Sequence, residues 1–425
     1  MAKNKEEQNK SKHDPGKRRP MIFPRKPAYV ILLLVMGLVA AGLMGAMVMV
    51  NTFPPDLTMI ILITMAALFI IAGVMMARHK KWKRIVGIIV ATLFIIVFGS
   101  ATYYLGSTYA MMTSISSDSE FSNAGGVRSN IDPAENPFNI YLTGIDQWEA
   151  EKGEDLERSD VNMIITVNPQ TKKVLLTSIP RDSYVKLHTA QQMDKLTHTG
   201  IYGVDETLNT VEDWLGIDLN YYVKMNFSGA RDIINAIGGI KVYSPVEFDS
   251  SLAGYHYVKG WNRLSGREAL YFARERKAFE GQDSVRVENQ QRVVEAIIKR
   301  VTASPALLTN YGEVMAACEN NLHTDMSYSE IRDLVKMQLS DLSTWEIKSQ
   351  KIEGEYDEDY VASLTQSMKF QIYRPSEESV SKCVNAINGV LNPTEEELAA
   401  ATAERRKGFI GNVVKLMTER VKKED

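Results

Sequence analysis

The sequence lacks the residues and motifs that mark several common protein classes. Its 425 residues include only two cysteines, which excludes a disulfide-dense scaffold and a four-cysteine zinc site. A net charge of −3 and an isoelectric point near 6.2 argue against a strongly basic nucleic-acid-binding protein. The motifs GxGxxG, GxxxxGK[ST], HExxH, CxxC and GxSxG are absent. The common dinucleotide, NTP, zinc-protease and serine-hydrolase sites therefore lose their main support.

Charged residues are also missing from three long apolar runs near the N-terminus, at 28–50, 57–77 and 85–105. A helix of about 20 residues, at about 1.5 Å per residue, spans the roughly 30 Å hydrocarbon core of a bilayer. Buried core helices are usually shorter, and a cleaved signal peptide would account for only the first run. We therefore predict three transmembrane helices within residues 28–105.

The charges beside these runs predict their orientation. Residues 1–27 carry nine Lys or Arg and three acidic residues, and the connection 78–84 carries five Lys or Arg and no acid. The connection 51–56 has one acid and no Lys or Arg. Because basic loops stay in the cytoplasm, 1–27 is predicted as a basic cytoplasmic tail and the chain after the third run as extracellular. By difference, residues 106–425 carry a net charge of −13, so an arginine cluster there is conspicuous.

The extracellular part alternates strands with helices. Residues 106–136 are rich in Ser, Gly, Asn and Asp and are predicted as an extracellular linker. Residues 137–375 are predicted as a catalytic domain of the α/β class, with a mixed central sheet in a three-layer α/β/α arrangement. A C-terminal helical extension over 376–425 follows, broken near Pro393. Strands are predicted at 138–143, 161–167, 173–179, 220–227, 240–243 and 344–352, and helices at 203–215, 229–237, 265–276, 284–303 and 327–340.

Local sequence signals predict two helix starts, but they leave the state of the cysteines and the role of the last helix undecided. Ser228 is expected to cap the helix at 229–237, and Ser265 with Glu268 resembles a capping box. Cys318 and Cys383 lie in the extracellular part, where a disulfide is permitted, and free buried thiols are the alternative. The basic stretch 407–423 fits either a packing helix or a surface helix that touches membrane or wall polymer.

Arginine and aspartate residues gather where predicted elements end. Gly144-Ile145-Asp146 follows the first strand, Arg158-Ser159-Asp160 precedes the second, and Pro180-Arg181-Asp182 follows the third. Arg274-Glu275-Arg276 ends a short helix. Arg286 and Gln290 are four residues apart on the next helix and so share one face. Ligands of open α/β sheets bind at such element ends.

This set of residues indicates a pyrophosphate site with a divalent cation. Carboxylates hold hard cations such as Mg²⁺ through oxygen, and arginine forks match phosphate oxygens. Ordinary salt bridges are the alternative for any single arginine. They are a weaker explanation for the whole set, because each arginine lies at the end of an element.

The ordered motifs GxD, RSD, IPRD, DKL-x-H, ARER and D-x-x-R-x-x-x-Q resemble the LytR-CpsA-Psr family of cell-envelope proteins. The resemblance is strong over about 138–303 and loose to about 375. Three apolar runs before an extracellular domain are similar to the capsule-type branch. The resemblance implies a Mg²⁺-dependent phosphotransferase, anchored in the cell membrane with its catalytic domain outside. Its donor would be a polyprenyl-pyrophosphate-linked teichoic acid or capsular polysaccharide and its acceptor peptidoglycan.

The resemblance also implies roles for individual residues. Asp146 and Asp160 would be the metal ligands. The residues implied to bind the pyrophosphate are Arg158, Arg181, Arg274, Arg276, Arg286 and Gln290. The residues implied in catalysis are Arg158, Asp160, Arg181, Asp182 and Arg276. Asp182 is expected to orient Arg181, and Lys195 and His198 to lie near the site. The general base stays open among Asp146, Asp160 and Asp182.

The sequence departs from the family pattern at one place, and two functions other than transfer are open. Glu288 and Asn289 stand where many relatives carry an arginine, which is expected to weaken head-group binding. A non-catalytic polyprenyl-phosphate-binding regulator, or a pyrophosphatase that uses water as acceptor, would have much the same site. A nucleic-acid partner is not expected, because cytoplasmic segments of 27 and 7 residues are too short for a folded DNA-binding unit.

Overall fold

The computed structural model describes residues 27–50, 55–117, 131–145, 159–279, 283–303, 317, 322–341, 344–364 and 367–405. These residues fall into two compact units. The first contains the apolar helices up to Tyr103, and the second runs from Tyr104 to the C-terminus.

Three N-terminal helices are long and apolar enough to cross a membrane: α1 (Pro27–Val50), α2 (Pro55–Ala77) and α3 (Lys81–Ser117). Each contains a membrane-length window of mean hydropathy 2.5 to 2.7, so the three predicted spans are confirmed as helices. The chain is thus a membrane-anchored protein. Helix α3 continues through 106–117, which the sequence analysis assigned to the linker. That stretch contains no proline and a single glycine, Gly106, so nothing ends the helix that the apolar run begins.

The second unit is built on a mixed six-stranded sheet. The strands of the unit, among the described residues, are β1 (Phe138–Ile145), β2 (Ser159–Asn168), β3 (Lys173–Ile179), β4 (Tyr184–Lys186), β5 (Met193–Lys195), β6 (Tyr221–Asn226), β7 (Ile240–Ser244), β8 (Phe248–Asp249), β9 (His256–Tyr257), β10 (Gly260–Leu264), β11 (Leu322–Thr324), β12 (Glu346–Lys351), β13 (Gly354–Asp359) and β14 (Phe370–Pro375). The order in the main sheet is β11-β6-β1-β2-β3-β12. The pairs β1–β6 and β3–β12 are parallel, and the other pairs are antiparallel.

Helices cover both faces of this sheet. They are α4 (Val204–Leu215), α5 (Phe227–Ala236), α6 (Gly266–Arg274), α7 (Asp283–Ala303), α8 (Tyr328–Asp341), α9 (Glu377–Leu391) and α10 (Glu395–Arg405), with a 3₁₀ helix at Leu196–Tyr202. Successive strand residues point to opposite faces. Tyr141 and Ile164 therefore pack with α4 and α9, whereas their neighbours Leu142 and Met163 pack with α7 and α8. The predicted three-layer α/β/α arrangement is confirmed.

Helix α9 belongs to the core of this domain, although the sequence analysis placed it in a C-terminal extension. Cys383 and Ile387 on α9 are buried against the first face of the sheet. Cys383 is a free thiol whose Sγ donates to the carbonyl oxygen of Lys351 at 3.5 Å, and Cys318 lies outside the described residues. For Cys383, the structure therefore agrees with the free buried thiol rather than the disulfide.

A smaller layer joins the sheet through β6 and α5. Antiparallel β7 and β10 pack their inner face on α5, α6 and α7 around Phe272. The capping box of Ser265 and Glu268 is confirmed at the start of α6. The cap of α5 is Asn226, whose Oδ1 accepts from the Gly229 amide at 2.6 Å, not Ser228 as predicted. The helix consequently begins two residues earlier, directly after β6.

Candidate active site

Five strand ends meet at one edge of the main sheet. Strand register places Ile145, the end of β1, beside Asn226 at the end of β6 and Ser159 at the start of β2. The ends of β3 and β12 adjoin them, with Lys351 opposite Ser178. This edge, formed by the carboxyl ends of β1, β3, β6 and β12 and the start of β2, is called the active edge below.

Arg181 is the centre of an ion-pair cluster at the active edge. Its Nη1 donates to Asp160 Oδ1, and its Nε lies 3.5 Å from Asp182 Oδ2. Lys195 Nζ lies 3.3 Å from the other oxygen of Asp182. The structure therefore brings together four residues that the sequence analysis named. The expectation that Asp182 orients Arg181 agrees with this geometry.

The 3₁₀ helix after Lys195 ties the two strands of this cluster together. Thr197 donates through Oγ1 to the Ser159 carbonyl at 3.0 Å and through its amide to the Arg181 carbonyl at 2.9 Å. The backbones beside both members of the Asp160–Arg181 pair are thus fixed by one residue, which the motif search did not single out.

A buried polar group holds that helix in place. His198 Nδ1 lies 2.7 Å from Asp194 Oδ1 and 2.8 Å from Ser363 Oγ, and the Ser363 amide donates to Asp194 Oδ2 at 2.7 Å. Burial alone would raise the pKa of Asp194, but hydrogen bonds from His198, Ser363 and the Lys195 amide outweigh it and hold the pKa below its ordinary value. His198 therefore braces the segment that carries Lys195, near the site as expected.

The Arg274-Glu275-Arg276 segment reaches the same edge from the smaller layer. The Arg274 guanidinium carbon lies 5.2 Å from the ring centroid of Phe227, the residue after β6. Arg274 is half-buried and Arg276 is exposed, but Glu275 between them is fully buried. A cation over an aromatic face is a favourable contact, and it holds Arg274 beside the end of β6.

Glu275 fixes the backbone that carries these two arginines. Its carboxylate accepts from the amide and Oγ of Ser251, from Ser250 Oγ, and from the amides of Arg276 and Ala278. Burial alone would raise the pKa of Glu275, and these donors lower it below the ordinary value. Glu275 lies inside the Arg274-Glu275-Arg276 motif, but the motif alone does not predict this role.

Helix α7 brings Arg286 and Gln290 toward the sheet. Lys351 Nζ, at the active edge, bonds Ser284 Oγ and Glu288 Oε1, each at 2.7 Å, and Gln291 Nε2 donates to the Gln350 carbonyl. These contacts dock the first half of α7 on the end of β12. Arg286 and Gln290, on one face of this half, are only 9% and 7% exposed. Lys351 is a second residue that the motif search missed, because a lone lysine after a strand has no distinctive pattern.

Glu288 and Asn289 have different environments. Desolvation would raise the pKa of Glu288, but contacts with Lys351 and Arg292 hold it below its ordinary value. The contact between Glu288 and Lys351 therefore helps to hold α7 against the end of β12. Asn289 Oδ1 accepts from Arg292 at 2.8 Å, while its Nδ2 is buried and has no hydrogen-bond acceptor among the described residues. Asn289 is thus a buried donor beside Gln290, and the expected weakening of head-group binding stays a prediction.

Two of the predicted site residues, Asp146 and Arg158, lie outside the described residues. Within the described ranges, no group of three or more His, Cys, Asp or Glu is arranged to hold a metal ion. Asp160 supplies one carboxylate, and Ser159 Oγ beside it is buried with no hydrogen-bond partner among these residues. Mg²⁺ commonly takes only one or two carboxylates and completes its shell with water and phosphate oxygens. The residues present therefore fit such an ion, and Asp160 is the described carboxylate that would hold it.

Known proteins share sequence with most of this chain. The LytR_cpsA_psr family profile matches residues 103–387. TagU of Bacillus licheniformis, a polyisoprenyl-teichoic acid–peptidoglycan teichoic acid transferase, is 32% identical over 306 residues, covering 69% of this chain and 97% of that protein. The protein of the same name from Bacillus subtilis strain 168 is 31% identical over 305 residues, covering 69% and 97%.

Solved structures share the fold of the second unit. The crystal structure of B. subtilis TagV is 28% identical with a TM-score of 0.51, covering 61% of this chain and 99% of its own. A structure of TagT bound to LIIa-WTA is 26% identical with a TM-score of 0.50, covering 64% and 98%. The family profile spans more than half of the chain, and a relative above 30% identity spans more than two thirds. The chain therefore belongs to the LytR_cpsA_psr family.

Proposed function

We propose that this chain is a membrane-anchored transferase that moves a teichoic acid or capsular polysaccharide from a polyprenyl-pyrophosphate carrier to peptidoglycan. Its N-terminus lies in the cytoplasm and its second unit outside the cell. The observation that carries the proposal is the convergence of Asp160, Arg181, Arg274 and α7 at the active edge. Although the domain has a net negative charge, several cations lie beside two carboxylates at this edge. Such a local cluster of cations suits a pyrophosphate. TagU, named a transferase of this kind, supports the same conclusion.

The reaction that fits this site is a phosphoryl substitution. An acceptor hydroxyl oxygen bonds to the phosphorus that bears the glycan, the bridging P–O bond breaks, and polyprenyl phosphate leaves. A carboxylate of the site takes the hydroxyl proton. Arg181, Arg274, Arg276 and the α7 residues Arg286 and Gln290 hold the pyrophosphate oxygens. Fixed cations at these oxygens stabilise the charge that moves onto the leaving phosphate.

Positioning is the contribution of the residues around Arg181. Asp160 and Asp182 hold the guanidinium from two sides, and Lys195 binds Asp182 from the far side. The guanidinium is therefore oriented before substrate arrives, which lowers the entropic cost of binding in a reactive geometry. Arg158, from the segment just before β2, is proposed to join this group.

Mg²⁺ is the proposed cofactor, held by Asp160 together with Asp146. When bound, it would neutralise negative charge on the pyrophosphate oxygens. The buried Ser159 Oγ gives this part of the edge one further oxygen that protein groups of the described ranges do not use.

The test is transfer by the full chain in proteoliposomes, with a lipid-linked glycan donor and purified peptidoglycan. Asp160→Ala and Arg276→Ala should abolish polymer attachment while the protein stays folded, and the exposed Lys348→Ala should behave like the wild type. Full attachment by both site variants would overturn the assignment. Release of a free phosphorylated glycan without attachment would indicate a pyrophosphatase. Donor binding with no product of either kind would indicate a regulator.

The metal is tested separately. Excess EDTA should stop attachment, and added Mg²⁺ should restore it. Attachment that persists unchanged in EDTA would remove the metal from the proposal without affecting the arginine sites. Mass spectrometry of the chain purified from its membrane should show a retained polyprenyl phosphate or pyrophosphate.

A further inference from the structure

The outer face of the two-stranded sheet β7–β10 carries exposed aromatic and basic side chains that have no role in the proposed reaction. Side chains alternate along both strands. Val242 on β7 and Leu264 on β10 are buried in the layer beneath, and the residues beside them on each strand point outward. Register places Trp261 opposite Tyr243 and Arg263 opposite Lys241. All four are exposed, Trp261 by 62% and Tyr243 by 46%. We call these four residues the hairpin face.

Among the described residues, the cations of the hairpin face have no carboxylate partner. This holds for Lys241 and Arg263, and also for Lys259, which directly precedes β10. The nearby acids Glu247 and Asp249 instead face His256. A domain that is acidic as a whole thus presents a small basic surface whose charge is unsatisfied, which favours an anionic partner.

Exposed apolar side chains lie close to the hairpin face along the chain. Val246 and Val258, in the segments that flank β7 and β10, are 46% and 44% exposed. Tyr243 and Trp261 meet edge to face, with ring centroids 5.5 Å apart and an interplanar angle of 75°. Exposed aromatic and aliphatic groups surrounded by Lys and Arg are the composition of protein surfaces that sit at a membrane interface.

We propose that the hairpin face is a membrane-docking surface that binds anionic phospholipid head groups. Tyr and Trp rings place an apolar body and a polar tip at the head-group level, and each Lys or Arg near an anionic surface adds favourable attraction. The same polypeptide carries three membrane-spanning helices, so the domain meets the bilayer at a high effective concentration. Weak contacts are therefore sufficient for docking.

An anionic polymer is the less favoured occupant. Phosphate groups would satisfy Lys241 and Arg263, but they offer nothing to Val246 and Val258. Shallow insertion into a head-group layer uses both the aromatic pair and the valines.

Docking also has a consequence for the active edge. Helix α6 begins two residues after β10 and ends at Arg274, so the hairpin face and a pyrophosphate-binding arginine belong to one rigid layer. Docking would keep that arginine close to a membrane-borne donor. This consequence alone rests on the proposed function, and the docking surface itself does not.

The experiment uses the full chain reconstituted in vesicles of phosphatidylglycerol and phosphatidylcholine, with and without bromine on the lipid chains near the head group. The emission of Trp261 is obtained as the difference between wild type and Trp261→Phe. Brominated lipid should quench most of this difference. The emission of Trp214 is obtained in the same way, from wild type and Trp214→Phe. Brominated lipid should not quench it, because Trp214 packs against the core of the other layer.

Charge reversal tests the basic part of the surface. Lys241→Glu with Arg263→Glu should remove most of the quenching of Trp261 and slow transfer from a membrane-borne donor. A matched pair at exposed lysines elsewhere, Lys348→Glu with Lys382→Glu, should leave both unchanged. Trp261 emission that brominated lipid does not quench would overturn the proposal. So would quenching that survives the charge reversal, or a Trp261 response to soluble poly(glycerol phosphate) but not to lipid.

Discussion

Two arginines of the second unit are each held by a pair of aspartates, and the pairs differ in their surroundings. Arg181 contacts Asp160 and Asp182 at the ends of β2 and β3. Arg374 contacts Asp357 at 2.6 Å and Asp359 at 2.5 Å across the β13–β14 hairpin. The first three side chains are 19% to 32% exposed, and the second three are 29% to 52% exposed.

The contact geometry alone does not tell a functional arginine from a structural one. Both carboxylates of the second pair accept hydrogen bonds from Arg374, which raises the pKa of Arg374 and lowers the pKa of Asp357. The Tyr360 amide, together with Arg374, lowers the pKa of Asp359. The Arg374 guanidinium carbon also lies 5.0 Å from the Tyr184 ring centroid. Arg181 instead lies where five strand ends meet, and Lys195 binds the aspartate beside it. Convergence at an element edge, rather than ion-pair count, marks the site.

The strongest test of this comparison replaces each arginine by lysine. Arg181→Lys should lower the rate of polymer transfer about 100-fold or more, because a point charge cannot replace the fork that binds two aspartates and phosphate together. Arg374→Lys should leave the rate unchanged. The measurement is initial rate of glycan attachment to peptidoglycan at saturating donor. Equal losses in both variants would mean that the comparison is wrong.

Glu275 should give the next largest effect, through the arginines on either side of it. Glu275→Gln keeps the shape but removes the charge that five donors share, so Arg274 and Arg276 lose their fixed geometry. We expect transfer to fall about 10- to 100-fold, mainly in kcat, and the free energy of unfolding to fall by about 1–3 kcal/mol.

Two further variants separate positioning from loss of fold at this residue. Glu275→Asp retains the charge and should recover part of the rate. Glu247→Gln, an exposed carboxylate of the same layer, should have no effect. If Glu275→Gln changed stability and left kcat intact, Glu275 would be structural only.

The third effect concerns acid stability. The pKa of Asp194 is below its ordinary value of 3.8 in the folded chain, so its interactions stabilise the fold above that pH. That stability is lost as the pH falls through the folded-state pKa. Asp194→Asn should therefore lower the free energy of unfolding by about 1–3 kcal/mol at neutral pH, and the difference from wild type should shrink as the pH falls below 3.8.

The exposed His188–Asp213 pair is the matched control for Asp194. Its Nδ1–Oδ2 distance is also 2.7 Å, but both side chains are about half exposed. Asp213→Asn should change the free energy of unfolding by less than about 0.5 kcal/mol. The free energy of unfolding is measured by fluorescence at several pH values. If Asp194→Asn lowered it equally at every pH, the ionic part of the explanation would be wrong.

Much of the site could be predicted because its residues follow strand ends. Local patterning places β1, β2 and β3 within two or three residues, and strand register then brings Asp160 opposite Arg181. The family resemblance added the order of the motifs, which no single tripeptide could supply. The profile match and the TagU relatives confirm that resemblance. The roles of Arg158 and Asp146 stay predictions, because both lie outside the described residues.

The supports of the site could not be predicted, because they join residues far apart in sequence. Ser363 reaches His198 across 165 residues, and Glu275 meets the Ser250–Ser251 turn across 24 or 25. No periodicity or spacing in one sequence records such contacts. The length of α3 is hard to predict for a different reason. Residues 106–117 have the polar composition of a linker, but they contain few residues that stop a helix.

The smallest expected effect completes the comparison of the two arginines. Arg374→Ala removes two surface ion pairs and a ring contact, but surface pairs contribute only about 0–1 kcal/mol each because water and salt screen them. We expect a decrease of about 1 kcal/mol in the free energy of unfolding, smaller at high salt, with unchanged transfer. Asp357→Asn with Asp359→Asn should give a similar decrease, and adding Arg374→Ala to that pair should cost little more. A large loss of transfer in Arg374→Ala would place the β13–β14 hairpin inside the site, since Tyr373 donates to the Asp182 carbonyl at 2.8 Å and could carry the disturbance.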